Sequence, residues 1–335
     1  MNSYFGKVLL LAIVIIEVLI VAYLFNSVFG PGISGMFARP NIIVVPISNY
    51  IYSSYSNITD DDFHLNYFRT LRPNVYYIEN STSYGTVVIS TNVDGLRERY
   101  NYSREKPSNV FRIAFFGDSF TFGIENNITD VYTELLEGRL NSINCSKKFE
   151  VINFGIPGND ITYDSVLFKL KGKYYDADVN IFLLKGDDIR NIVDLRRFLF
   201  FKYLESYGWS DIELNESMEE TVNLASIKEY SSILTDSLSQ EHVSKAVGLI
   251  NRENDGNSQI MFFTFRISDN YNKLLENATS KFGFTFVSFN DIDRLWDEKF
   301  SLIPGGEDPH PNKLGHQFLA DYFYTYLLTN NLIDC

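Results

Sequence analysis

The chain has 335 residues, 45% of them hydrophobic, with 28 Phe, 22 Tyr and a formal net charge of −13. That apolar and aromatic content excludes a disordered chain and suffices for a large core. The acidic balance, with no concentrated basic stretch, disfavours nucleic acid as a partner, and two cysteines without metal-ligand spacing exclude a zinc ribbon or a disulfide scaffold. Cys145 and Cys335 leave two readings, one disulfide or a free Cys335. No cofactor and no metal is expected.

The first predicted element is a membrane span. "VLLLAIVIIEVLIVAYLF", Val8 to Phe25, is apolar over the length of a bilayer crossing and is interrupted only by Glu17. No A-x-A-like cleavage site follows between 27 and 35, so the segment reads as an uncleaved anchor rather than a signal peptide. Lys7 precedes the span and no Lys or Arg follows until Arg39, which makes 1–29 a cytoplasmic tail and anchor with everything after it outside the cytoplasm. Glu17 is either protonated in the bilayer or in contact with a partner membrane protein.

Residues 30–109 read as an extracytoplasmic lead-in of short strands and turns, "YGTVVIST" (Tyr84 to Thr91) being the clearest alternation. From Val110 the pattern changes to compact apolar runs separated by helical segments. The predicted strands are Phe111 to Phe116, Phe149 to Phe154, Val179 to Leu184, Gln259 to Phe265 and Phe284 to Phe289. Between the first two lies "DVYTELLEGRL", a helix with Val131, Leu135, Leu136 and Leu140 on one face and Asp130 placed to cap it. This alternation implies an α/β fold: three α/β/α layers around a flavodoxin-like, doubly wound parallel sheet of about five strands. The stretch of about 190–255 is too long for a simple crossover and reads as an inserted helical cap. "LGHQFLADYFYTYLL" is the final amphipathic helix.

On such a sheet the ligand site lies at the carboxyl ends of the strands. Ser119 follows the first strand in "GDSF", and Gly155 and Gly158 follow the second in "NFGIPGND". Asp187 and Asp188 follow the third in "LLKGDDI", and His310 stands in "GGEDPHPNKLGH" before the last helix. These four blocks, in this order, resemble the SGNH hydrolases, the GDSL-type esterase superfamily, from about residue 110 to 335. "TNVDGLRERY" (Thr91 to Tyr100) is similar to a lead-in found in extracytoplasmic bacterial members.

The resemblance implies a nucleophile, Ser119, a general base, His310, and an acid that orients it, Asp308 or alternatively Glu307. It also implies an oxyanion hole from the N–H groups of Ser119 and Gly155 and a side chain at Asp187. Here the chain departs from the family, which places an asparagine at that third position. An ionised aspartate cannot donate a hydrogen bond to an oxyanion. Three outcomes follow: a protonated Asp187 raised by Asp188, a substitute amide from Asn159 or Asn191, or a weakened enzyme. Asp118 reads as a structural acid bonded to local backbone, and His64, His242 and His316 as structural histidines. The expected substrate is an acyl ester, foremost an O-acetyl group on a surface polysaccharide, cleaved or transferred through an acyl-enzyme. The other reading is a binding or scaffold subunit that keeps the fold without the chemistry.

Overall fold

The computed structural model describes residues 71, 73–74, 76–81, 85–186, 236–256, 258–289, 295–303, 308–333 and 335. The expected span at Val8 to Phe25, Glu17, His64, Asp187, Asp188, Asn191 and Glu307 lie outside the described residues. Among the described residues no helix is long and apolar enough to cross a membrane.

A hairpin comes first: β1 (Tyr76–Ser81) pairs antiparallel with β2 (Gly85–Ser90), Tyr76 facing Ser90. The main unit then runs β3 (Val110–Gly117), α1 (Ser119–Phe122), α2 (Tyr132–Leu140), β4 (Lys148–Asn153), α3 (Ile161–Leu170) and β5 (Val179–Lys185). After the undescribed stretch come α4 (Asp236–Glu253), β6 (Gln259–Phe265), α5 (Asp269–Ser280) and β7 (Thr285–Ser288). A small antiparallel pair, β8 (Ser301–Ile303) and β9 (Asp308–Pro311), leads into α6 (Lys313–Thr329).

The five strands from β3 to β7 form one sheet in the order β4-β3-β5-β6-β7, every neighbouring pair parallel. Counted within the sheet this is the 2-1-3-4-5 order, with the topological switch beside β3. β3 is buried along its whole length because both sheet faces are covered. Ile113 and Phe115 point to the face packed by α2 and α6, in one cluster with Leu136, Leu319 and Phe323. Ala114 and Phe116 point the other way, into a cluster with Val166, Val247 and Leu275 from α3, α4 and α5. On that second face Phe154, Phe116, Phe182 and Phe262 stack in a row, with ring centroids 4.7, 4.8 and 5.0 Å apart. The strands β3, β5 and β6 and the residue after β4 thus contribute one ring each, a stacked arrangement that aromatic quadrupoles favour when the rings are offset.

Two sequence expectations change. The end of the expected 190–255 insertion, Asp236–Glu253, is α4, the crossover helix between β5 and β6; its Val243, Ala246, Val247, Leu249 and Ile250 are core residues. The remainder of that insertion lies outside the described residues. Asp130 does not cap α2 either. It pairs with Lys313 at 2.8 Å, and Val131 is the capping residue, without a side-chain bond. The first N–H of α2, that of Tyr132, donates instead to His316 Nδ1 at 3.3 Å, a partner from the far end of the sequence.

The outer side of β4 is also finished by side chains. In a parallel strand alternate N–H groups point away from the neighbour. On β4, Phe149 N–H donates to Asn141 Oδ1 at 3.0 Å, Val151 N–H to Glu137 Oε2 at 2.8 Å and Asn153 N–H to Glu98 Oε1 at 2.6 Å. Burial pushes the carboxyls of Glu98 and Glu137 up from the ordinary range, against the N–H bonds that hold them down. Cys145 and Cys335 form a disulfide, with 4.9 Å between their Cα atoms.

Candidate active site

β3 ends in Gly117, and the chain turns at once into α1. A Cβ at Gly117 would lie 2.6 Å from Leu183 O, so this turn against β5 needs glycine. Asp118 caps α1, accepting the Phe120 N–H at 2.8 Å, the local backbone role expected of it. Gly123 closes the helix in the left-handed conformation, φ 77°, its N–H on Ser119 O. Ser119 therefore stands at the carboxyl end of the sheet on a turn fixed at both ends, with 8% of its surface exposed.

Ser119 Oγ lies 2.8 Å from His310 Nε2, and His310 Nδ1 lies 2.6 Å from Asp308 Oδ1. Asp308 Oδ1 also accepts the His310 backbone N–H at 3.1 Å, which locks the two residues of β9 together. With Nδ1–H donated to the carboxylate, Nε2 keeps its lone pair for the serine hydroxyl. Trp296 Nε1 donates to Pro309 O at 2.8 Å, and the Phe120 ring stands 5.3 Å from the imidazole, so β9 is held on both flanks. The fold brings these three residues together although the sequence separates Ser119 and His310 by 191 positions.

The site also carries a charged pair. Lys185 Nζ, at the end of β5, is 3.9 Å from Asp118 Oδ2, and it sits 5.1 Å from the Phe120 ring centroid. Burial raises the Asp118 carboxyl from its usual value, while Lys185 and the Phe120 N–H pull it back.

Gly155 does not serve as the sequence suggested. Its N–H donates to Asn153 Oδ1 at 2.8 Å, and a Cβ there would stand 2.6 Å from Thr121 C and closer still to Phe122 N. It is the glycine that lets α1 rest on the end of β4, and its donor is already engaged. Gly158, three residues on, adopts φ 78° in the following turn and is partly exposed. Asn159 is buried, and one N–H of its amide donates to Asp164 Oδ1 at 2.9 Å. His242 and His316 are buried, His242 against the Thr162 hydroxyl.

Sequence reasoning missed the inward-facing part of the lead-in. Arg97, 1% exposed, donates to Phe122 O, Gly123 O and Asn126 O at 2.6, 2.5 and 2.5 Å. Glu98 holds Asn153, whose amide in turn donates to Thr121 O at 2.7 Å. Both residues of the "RE" dipeptide thus reach α1. The signal was the "TNVDGLRERY" block itself, for which a surface turn left no use.

No family model matches the chain, and no curated protein does. Among solved structures it is similar to TesA, at 10% identity over 64% of this chain and 97% of that one, TM-score 0.40. It is also similar to a catalytic mutant of Axe2, an acetylxylan esterase from Geobacillus stearothermophilus (16% identity, 64% and 92% coverage, TM-score 0.40). A third is the psychrotrophic esterase EstA from Pseudoalteromonas sp. (12% identity, 66% and 99% coverage, TM-score 0.44).

Proposed function

We propose that the chain is a serine esterase of SGNH type. The observation that carries this reading is the continuous relay from Ser119 Oγ through His310 to Asp308, at 2.8 and 2.6 Å, at the carboxyl edge of the sheet. In the reaction, Ser119 Oγ attacks the ester carbonyl while His310 Nε2 takes its proton. The same proton goes to the leaving alcohol as the tetrahedral intermediate collapses to an acyl-enzyme. Water, activated by His310, then releases the acid; a sugar hydroxyl in its place would make the same site an acyltransferase. Asp308 holds the tautomer and balances the imidazolium. The Ser119 N–H supplies one oxyanion donor. Asp187 would contribute only when protonated.

The substrate class is an acyl ester, foremost an O-acetyl group of a surface glycan. The protein would be held to the membrane by residues 8–25, with the domain outside. The Cys145–Cys335 disulfide supports an oxidising compartment.

A fluorophosphonate probe labels only an activated serine. Labelling of the purified outer domain, abolished in Ser119→Ala, is the expected result. Absence of labelling at every pH would favour the scaffold reading, in which the fold binds a glycan or a Glu17-dependent membrane partner without reacting.

A further inference from the structure

The nucleophile turn is held from outside the sheet by a single buried cation. Asn92 folds the lead-in back on itself: its Oδ1 accepts the N–H groups of Asp94 and Leu96, both at 3.0 Å, and its amide donates to Tyr100 O at 2.9 Å. Gly95 takes φ 67° within this turn, and the chain emerges with Arg97 pointing inward. The guanidinium lies 4.3 Å from the Phe122 ring centroid and bonds the carbonyls of Phe122, Gly123 and Asn126. Two of these are the last carbonyls of the turn that carries Ser119, which a four-residue helix cannot satisfy internally. The third belongs to Asn126, whose side-chain amide donates to Pro311 O at 2.8 Å and to Ile124 O at 2.9 Å. Pro311 is the residue after His310.

We propose that Arg97 is a positioning residue for the esterase reaction, fixing through Asn126 the distance between the helix that carries Ser119 and the strand that carries His310. This rests on the reading of Ser119 and His310 given above. The planar guanidinium reaches these carbonyls from two nitrogens in a fixed fork, Nη1 on Phe122 and Gly123 and Nη2 on Asn126; the three donors of an ammonium radiate from one nitrogen on a flexible stem and do not reproduce that spacing. A misplacement of about 1 Å between reacting groups can cost on the order of a hundredfold in rate, so the clamp matters to chemistry beyond its share of stability.

The test compares three variants. Arg97→Lys keeps the charge and loses the fork. Asn126→Ala keeps the backbone carbonyl that Arg97 binds but loses the amide on Pro311 O. Arg112→Lys is the control: Arg112 is equally buried, bonded to Glu150 at 2.6 Å, but at the amino ends of the strands. Hydrolysis of a small acetyl ester gives kcat and KM. Nitrogen NMR of the histidine rings, with His310 assigned through Ser119→Ala, reports the Ser119–His310 bond whether or not any ester is turned over.

Arg97→Lys and Asn126→Ala should lower kcat about 10- to 100-fold with little change in KM. Both should move the His310 signal toward its position in Ser119→Ala, and Arg112→Lys should do neither. An unmoved His310 signal in both site variants, or the same losses in Arg112→Lys, would overturn the proposal. If Arg97→Lys does not fold, Asn126→Ala decides alone. A parent that hydrolyses no ester would defeat the functional reading, and the His310 signal would still judge the clamp.

Discussion

The imidazole of His316 is fully buried beside the Tyr132 ring, and desolvation lowers its pKa from 6.5 to about 3. The folded protein therefore keeps this ring neutral down to about pH 3, whereas the unfolded chain takes up a proton near 6.5. Between those values the unfolded state holds more protons, so stability falls as pH falls, by at most about 1.4 kcal/mol per pH unit. The raised carboxyls of Glu98 and Asp164 act in the opposite sense, losing stability as pH rises through the upper carboxylate range. Comparing the parent with His316→Gln cancels those shared contributions. Urea midpoints measured from pH 7 to 4 should fall more steeply in the parent; parallel curves would mean that His316 titrates like an exposed histidine. A second residue-scale expectation concerns Asp187. Asparagine there supplies a donor without needing a proton, and one oxyanion donor is worth about 100- to 1,000-fold in kcat. Asp187→Asn should raise kcat on a small acetyl ester at neutral pH and flatten the acidic part of the profile. A variant no faster than the parent, with an unchanged profile, would remove Asp187 from the oxyanion site.

Individual elements carried most of what the sequence could say. Buried parallel strands are runs of apolar residues, so β3, β4, β5, β6 and β7 were legible to within about two residues of their ends. The predicted Phe111 to Phe116 is Val110–Gly117, and Gln259 to Phe265 needs no change. Ser119, His310 and Asp308 were legible because each sits in a short block beside such an element. Gly155 was misjudged for a local reason: its N–H is taken by the Asn153 side chain folding back, which no spacing in the sequence shows. Arg97 was missed because a charged residue in a polar turn reads as solvated, and burial of arginine depends on partners that lie 25 to 29 positions away. Asp130 was misjudged because the donor it should have capped found His316 instead. The revised role of Gly155 can be checked directly. Gly155→Ala keeps the backbone N–H, so a pure donor role would leave the rate intact. The clash with α1 predicts a loss of about 1–3 kcal/mol in stability and a slower fluorophosphonate reaction at Ser119. Parent-like labelling and stability together would mean that α1 has room to move.

Across the whole molecule, the disulfide joins the loop after α2 to the segment beyond α6, the two helices that share one face of the sheet. It closes a loop of 190 residues and lies away from the carboxyl edge where Ser119 stands. Cys335→Ser should therefore lower stability by about 2–5 kcal/mol while leaving fluorophosphonate labelling of the folded protein unchanged. Equal urea midpoints with and without a thiol reductant would show that the tie contributes nothing.

A sheet that stops must also refuse company. A strand with open N–H and C=O groups on its outer side is a template for another molecule's strand, and self-association begins at such borders. Here one border, β7, is only four residues long. At the other, the donors of Phe149, Val151 and Asn153 are already taken by Asn141, Glu137 and Glu98. An incoming strand would have to displace three side chains, two of them acids, to reach those donors. The same Glu98 that steadies the nucleophile turn through Asn153 thus also keeps the molecule from joining its sheet to a neighbour's.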